Sequence, residues 1–79
     1  MYIEFELPKD GGAHATVLAI KIAIGRWAKQ YGVPDSDYSQ KTIKYTHRLG
    51  FNNEKYFSLF SMTWDHYEYR IVDIANEKY

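Results

Sequence analysis

One stretch of the chain, Ala13 to Tyr31, carries two apolar stripes where a surface helix needs one. Val17, Ile20, Ile24, Trp27 and Tyr31 recur at steps of three and four, the spacing of one face of an α-helix. Ala15, Leu18, Ile22 and Gly25 repeat that rhythm, with Lys29 at its end. At about 100° per residue the second stripe lies nearly opposite the first. One stripe covers a sheet. The other must meet solvent, a loop of the same chain, a second copy or a foreign partner. Lys21, Arg26 and Lys29 rim it, and Gly25 offers a place where another backbone can approach closely. The expected protein interface is therefore Ala15, Leu18, Ile22, Gly25, Arg26 and Lys29.

The rest of the chain predicts a sheet for this helix to rest on. Tyr2 to Leu7 alternates, with Ile3, Phe5 and Leu7 on one side and Tyr2, Glu4 and Glu6 on the other, which is the pattern of a half-buried strand stopped by Pro8. Lys9-Asp10-Gly11-Gly12 reads as a turn, with Asp10 or Gly12 at the helix start. Gly32, followed by Pro34, closes the helix. Val33 to Ser39 is the longest polar connection and is expected to be a mobile loop. A second strand is expected over Lys41–Leu49, with Ile43, Tyr45, His47 and Leu49 alternating against Thr42, Lys44, Thr46 and Arg48. A turn over Gly50–Glu54 leads to a third strand, Lys55–Trp64, apolar on both sides and so expected to be central. Asp65-His66 suits a tight reversal into a fourth strand, Tyr67–Ile74, with the last residues fraying. The expected architecture is α+β: a single helix packed on a small antiparallel sheet, in the order β-α-β-β-β. The first strand sits at an edge or beside the fourth.

Seventy-nine residues make one domain, 1–79. With 46% apolar and 25% charged residues the composition is globular, and 18% aromatics supply large buried areas to a small core. Ten basic against ten acidic residues give zero formal charge, which lacks the basic footprint of a general nucleic-acid binder. No cysteine is present, so disulfides, thiolate zinc sites and cysteine nucleophiles drop out, in keeping with a cytoplasmic location. Glu4 and Glu6 interrupt what would otherwise open a signal peptide. The apolar run Ala13 to Ile24 contains Lys21 and falls short of the roughly 20 residues a membrane span needs, so no membrane association is expected.

Residues that could carry chemistry do not fall into a catalytic or metal pattern. His14, His47 and His66 lack any metal-ligand spacing, and no metal or cofactor is expected. Asp65/His66 is the nearest thing to an acid–base pair, in a turn that favours those residue types on conformational grounds. Asp35, Ser36, Asp37 and Ser39 lack the central Gly and closing Glu of a calcium loop. Lys44, Arg48 and Arg70, set among Thr and Tyr on strand faces, are the candidate nucleic-acid contacts, since stacking plus phosphate contact is how many single-stranded RNA binders work. Glu4, Glu6 and Glu68 are expected on the same surface, where they would pair with those cations.

In its small size, lack of cysteine, many tyrosines, one helix on a small sheet and absence of a catalytic constellation, the chain resembles small bacteriophage proteins that disable host enzymes or defence systems, including anti-CRISPR-type proteins. The resemblance implies an inhibitor. Together with the second stripe it leads to the expectation of a non-enzymatic protein-binding module. Such a module is an inhibitor or adaptor that occludes a surface of a larger host macromolecule, and the stripe offers a homodimer seam. The alternative is a single-stranded nucleic-acid-binding protein using Lys44, Arg48 and Arg70.

Overall fold

The computed structural model describes residues 1–72. Along them run β1 (Tyr2–Glu6), α1 (Ala13–Gln30), a 3-10 turn (Asp35–Asp37), β2 (Tyr38–Ile43), β3 (Thr46–Phe51), α2 (Glu54–Thr63) and β4 (Arg70–Val72). The strands form one antiparallel sheet in the order β2-β3-β1-β4. The α+β class is as expected, but several elements and the strand order differ.

The first helix follows its local signals closely. Gly12 is its N-cap residue, and the Gly12 amide donates to Asp10 Oδ1 at 3.4 Å. At the other end Gly32 adopts φ 70°, a left-handed conformation that costs glycine little. The Val33 amide then reaches the Ala28 carbonyl at 2.8 Å and the Gly32 amide the Lys29 carbonyl at 3.4 Å, the paired bonds of a Schellman cap. Val33 and Ala28 are both buried, which adds the apolar contact that accompanies such caps. The first stripe packs inward through Ile20, Ile24 and Trp27 against Ile3, Phe5, Leu7 and Leu49. Tyr31, expected on that face, is the C-cap residue and stays partly exposed beside Trp27.

The expected third strand is a helix. From Glu54 to the C-cap Trp64 the apolar residues that matter, Tyr56, Phe57, Phe60 and Trp64, fall at helical steps, and Asn53 caps the start by accepting from the Lys55 amide at 3.0 Å. Phe60 is fully buried and Met62 is 83% exposed, a division that a central strand would not make. Phe60 stacks on Trp64 at 4.7 Å and meets Trp27 edge-on at 4.9 Å, so the two helices lie on the same face of the sheet and share one aromatic core.

The expected second strand is a hairpin. The chain reverses at Lys44-Tyr45, with Ile43 paired to Thr46 and Thr42 to His47. A two-residue turn changes the face parity, so Ile43 lies on the side opposite His47 and Leu49 rather than with them. Lys44 occupies φ 53°, an uncommon region for a residue with a side chain. β3 continues through Gly50 and Phe51, where a turn was expected.

Of the two expected positions for β1 the one beside the fourth strand is observed; with β3 paired on its other side, β1 is interior rather than at an edge. This makes it buried on both faces except at Glu6. The fourth strand was expected over Tyr67–Ile74; it is seen at Arg70–Val72, and the expected fraying of the last residues lies outside the described ones. Within the Val33–Ser39 connection Asp35–Asp37 form a 3-10 turn and Tyr38 and Ser39 already belong to β2; the Asn52 side chain donates to the Ser36 carbonyl at 2.8 Å and the Asn52 amide to that of Asp37 at 2.9 Å.

Candidate functional site

With the first stripe of α1 turned to the core, the second faces outward. Leu18 and Ile22, one turn apart, are each 52% exposed, and Ala15, Arg26 and Lys29 beside them are exposed as well. The following connection does not fold over them, because its one large apolar residue, Val33, is committed to the core. Gly25 is set among these residues. A Cβ built on it meets nothing within 4 Å, so no internal packing requires a glycine there. A mid-helix glycine weakens a helix by about 0.5–1 kcal/mol relative to alanine, and here that cost has no compensation inside the fold.

Beside this strip runs a groove of about 660 Å³ between α1 and the connection from α2 to β4. Ile22, Arg26 and Tyr31 line one wall, Thr63, His66 and Tyr67 the other, with Trp27 also lining it. Its walls are fixed by hydrogen bonds. Trp27 Nε1 donates to Thr63 Oγ1 at 2.8 Å, Thr63 Oγ1 in turn donates to the Leu59 carbonyl at 2.7 Å, and Trp64 Nε1 donates to the Tyr67 carbonyl at 3.0 Å. Ile22, Tyr31 and Tyr67, three of the chain's exposed large apolar residues, all border this one depression. The far wall could not be found from the sequence, because it depends on α2 being a helix.

Asp65 and His66, the candidate acid–base pair, are in that connection. His66 Nε2 lies 3.8 Å from Asp65 Oδ1, too long for a hydrogen bond, and both side chains are open to solvent. The His66 ring meets Trp64 edge-on at 5.1 Å.

Two of the three candidate nucleic-acid residues, Arg48 and Arg70, fall on the opposite side of the sheet. Strand register aligns Lys41, Arg48, Glu4 and Arg70 in one row across β2, β3, β1 and β4. Glu4 is only 4% exposed. Arg48 Nε donates to its Oε2 at 3.2 Å, and Arg70 donates to its Oε1 through Nε at 2.7 Å and through a second guanidinium nitrogen. The Arg48 guanidinium also lies 4.9 Å over the Tyr2 ring. The cross-strand pairing expected of Glu4 is therefore present. Glu6 and Glu68 line a smaller depression with Arg70, and Lys44 is apart from the row, in the hairpin turn. Lys41 joins the row although sequence reasoning did not single it out; its membership follows only from the register of β2.

His47 is the remaining titratable group of note. It is fully buried, with Nδ1 2.8 Å from Thr42 Oγ1 and Nε2 2.7 Å from Gln40 Oε1. A neutral ring protonated on Nε2 satisfies both contacts, donating to Gln40 and accepting the Thr42 hydroxyl. Burial, reinforced by the charge of Lys21, lowers its pKa to about 4.

Among the described residues no group of three or more His, Cys, Asp or Glu is placed to hold a metal ion, and no helix is long and apolar enough to cross a membrane. Comparison of the chain with protein-family models, with curated proteins and with solved structures finds no match.

Proposed function

We propose that this chain is a protein-binding module that acts by occluding a surface of a larger macromolecule, as an inhibitor or adaptor rather than a catalyst, with the outer face of α1 as its contact. What supports this reading most is the exposure of Leu18 and Ile22, 52% each, on a helix whose opposite stripe already forms the core. Two large aliphatics side by side, continuous with a groove bordered by Tyr31 and Tyr67, make a connected apolar surface of the kind that marks a contact. Burying the exposed halves of Leu18 and Ile22 contributes about 2–3 kcal/mol before the costs of association. The resemblance to phage proteins that disable host systems is consistent with this reading and adds no residue to it.

A photo-crosslinking side chain at position 22, compared with one at position 41 on the far side of the sheet, tests the proposal in the cells that make the protein. A discrete protein adduct from position 22, absent from position 41 and lost when Leu18→Glu is added, is the expected result. Adducts from position 41 alone would sink it. A second reading, single-stranded nucleic-acid binding, is favoured by the Lys41, Arg48 and Arg70 row and weakened by the carboxylate those two arginines share. Phosphate-dominated binding falls steeply with salt, so a salt-dependent RNA adduct from position 41 would select it.

A further inference from the structure

Resting on the reading of α1 as a protein contact, the distribution of charge narrows the partner. Between Ala13 and Gln30 there is no Asp or Glu: the ten acids of this net-neutral chain all lie elsewhere, while α1 carries Lys21, Arg26 and Lys29. All three are exposed, and among the described residues none is ion-paired to an acid. They frame the apolar strip. At about 100° per residue Lys21 falls on one flank of the Leu18/Ile22 meridian, Arg26 on the other, and Lys29 continues the meridian toward the helix end. A second copy laid α1 against α1 would bring two such cationic helices together with no acid on either, and like charges across an interface are costly. The groove beside the strip has one acid among its described lining residues, Asp65, and it is on the wall opposite α1.

We propose that this face takes an acidic amphipathic helical segment of another protein. Its apolar side chains rest on Leu18 and Ile22 and enter the groove beside Ile22, and its carboxylates meet Lys21, Arg26 and Lys29. The notch at Gly25, where nothing beyond the helix's own nearby backbone stands within 4 Å of a Cβ position, lets the segment's backbone come close. Its carboxylates align with α1 and away from Asp65, so charge sets the register as well as attraction.

The test uses three labelled, end-capped synthetic helices in fluorescence anisotropy with the full chain. The first has leucines at helical spacing flanked by glutamates. The second has lysines in place of the glutamates, and the third has serines in place of the leucines. The acidic amphipathic helix is expected to bind at least about tenfold more tightly than the lysine twin, the combined effect of two or three exposed ion pairs, and at least about tenfold more tightly than the serine twin, which loses the apolar contact with Leu18 and Ile22. Arg26→Glu/Lys29→Glu should reverse the preference between the two charged helices, and Leu18→Ser/Ile22→Ser should abolish binding with the circular dichroism spectrum unchanged. Equal binding of the acidic and lysine helices overturns the acidic partner and leaves the α1 contact standing. Failure of all three helices to bind overturns the acidic helical segment, while the α1 contact itself stands or falls on the position-22 crosslink. Tighter binding to vesicles of phosphatidylcholine with about one-third phosphatidylserine, or to single-stranded polyuridylate, overturns the proposal in favour of a membrane or nucleic-acid surface.

Discussion

Lowering the pH from about 7.5 to about 5 should destabilise this domain through one residue, His47. Unfolded, its imidazole titrates near the ordinary value of 6.5; folded, burial and Lys21 hold it at about 4. Between those values the unfolded chain binds a proton that the folded one refuses. The contribution is therefore fully present above about pH 6.5 and is lost as pH falls toward about 4. At 1.36 kcal/mol per pKa unit the whole span is about 3 kcal/mol, of which about 2 kcal/mol has gone by pH 5. In a domain of this size 2 kcal/mol lowers Tm by on the order of 10 °C. The assay is urea or thermal unfolding of the wild type and of His47→Gln at both pH values. The uncharged variant subtracts every other titrating group, and its pH dependence should be flatter by that amount. If His47→Gln does not fold, the His47 ring resonances of the wild type replace it, and they should not shift above about pH 5. A wild type and variant with the same pH slope, or a ring that titrates near 6.5, would refute the burial argument.

Asn53→Ala removes the side-chain cap of α2 and should cost about 1 kcal/mol by urea denaturation, whereas Met62→Ala, fully on the solvent side, should cost little. Glu4→Gln leaves the buried side of Arg48 without its carboxylate and should cost about 3 kcal/mol, with Tm as the readout. Gly25→Ala should stabilise α1 by about 0.5–1 kcal/mol and weaken binding of the acidic helix, because a methyl group then fills the notch; stabilisation with unaltered binding would remove Gly25 from the contact.

How much of this was legible in the sequence depends on whether the deciding signal is local. The bounds of α1 were readable because its stripe, Gly32 and Pro34 are neighbours, and the observed helix ends one residue before the expected Tyr31. The strip on its outer face was readable for the same reason. Lys55–Trp64 misled because its aromatics have high strand propensity and lie on both sides of a two-residue alternation. The Asn53 cap and the 56/57/60/64 spacing were the competing signals, and burial of Phe60 against Trp27 decides between them. The hairpin at Lys44-Tyr45 carries no Gly, Asn or Asp, so nothing local announced a reversal. Everything on the far side of the sheet depends on register. Glu4 was expected to pair with the basic residues, yet the Lys41–Arg48–Glu4–Arg70 row requires β1 to be interior, a tertiary fact. The groove, likewise, exists only once α2 is a helix.

Nitrogen-15 chemical-shift mapping of the intact chain, titrated with the acidic amphipathic helix, reads the contact surface residue by residue. The account predicts the largest shifts at Leu18, Ile22, Gly25, Arg26 and Lys29, with Tyr67 moving as the groove fills and Lys41, Arg48 and Arg70 undisturbed. Shifts gathered on the Lys41–Arg48–Arg70 row, with the outer face of α1 unmoved, would contradict it.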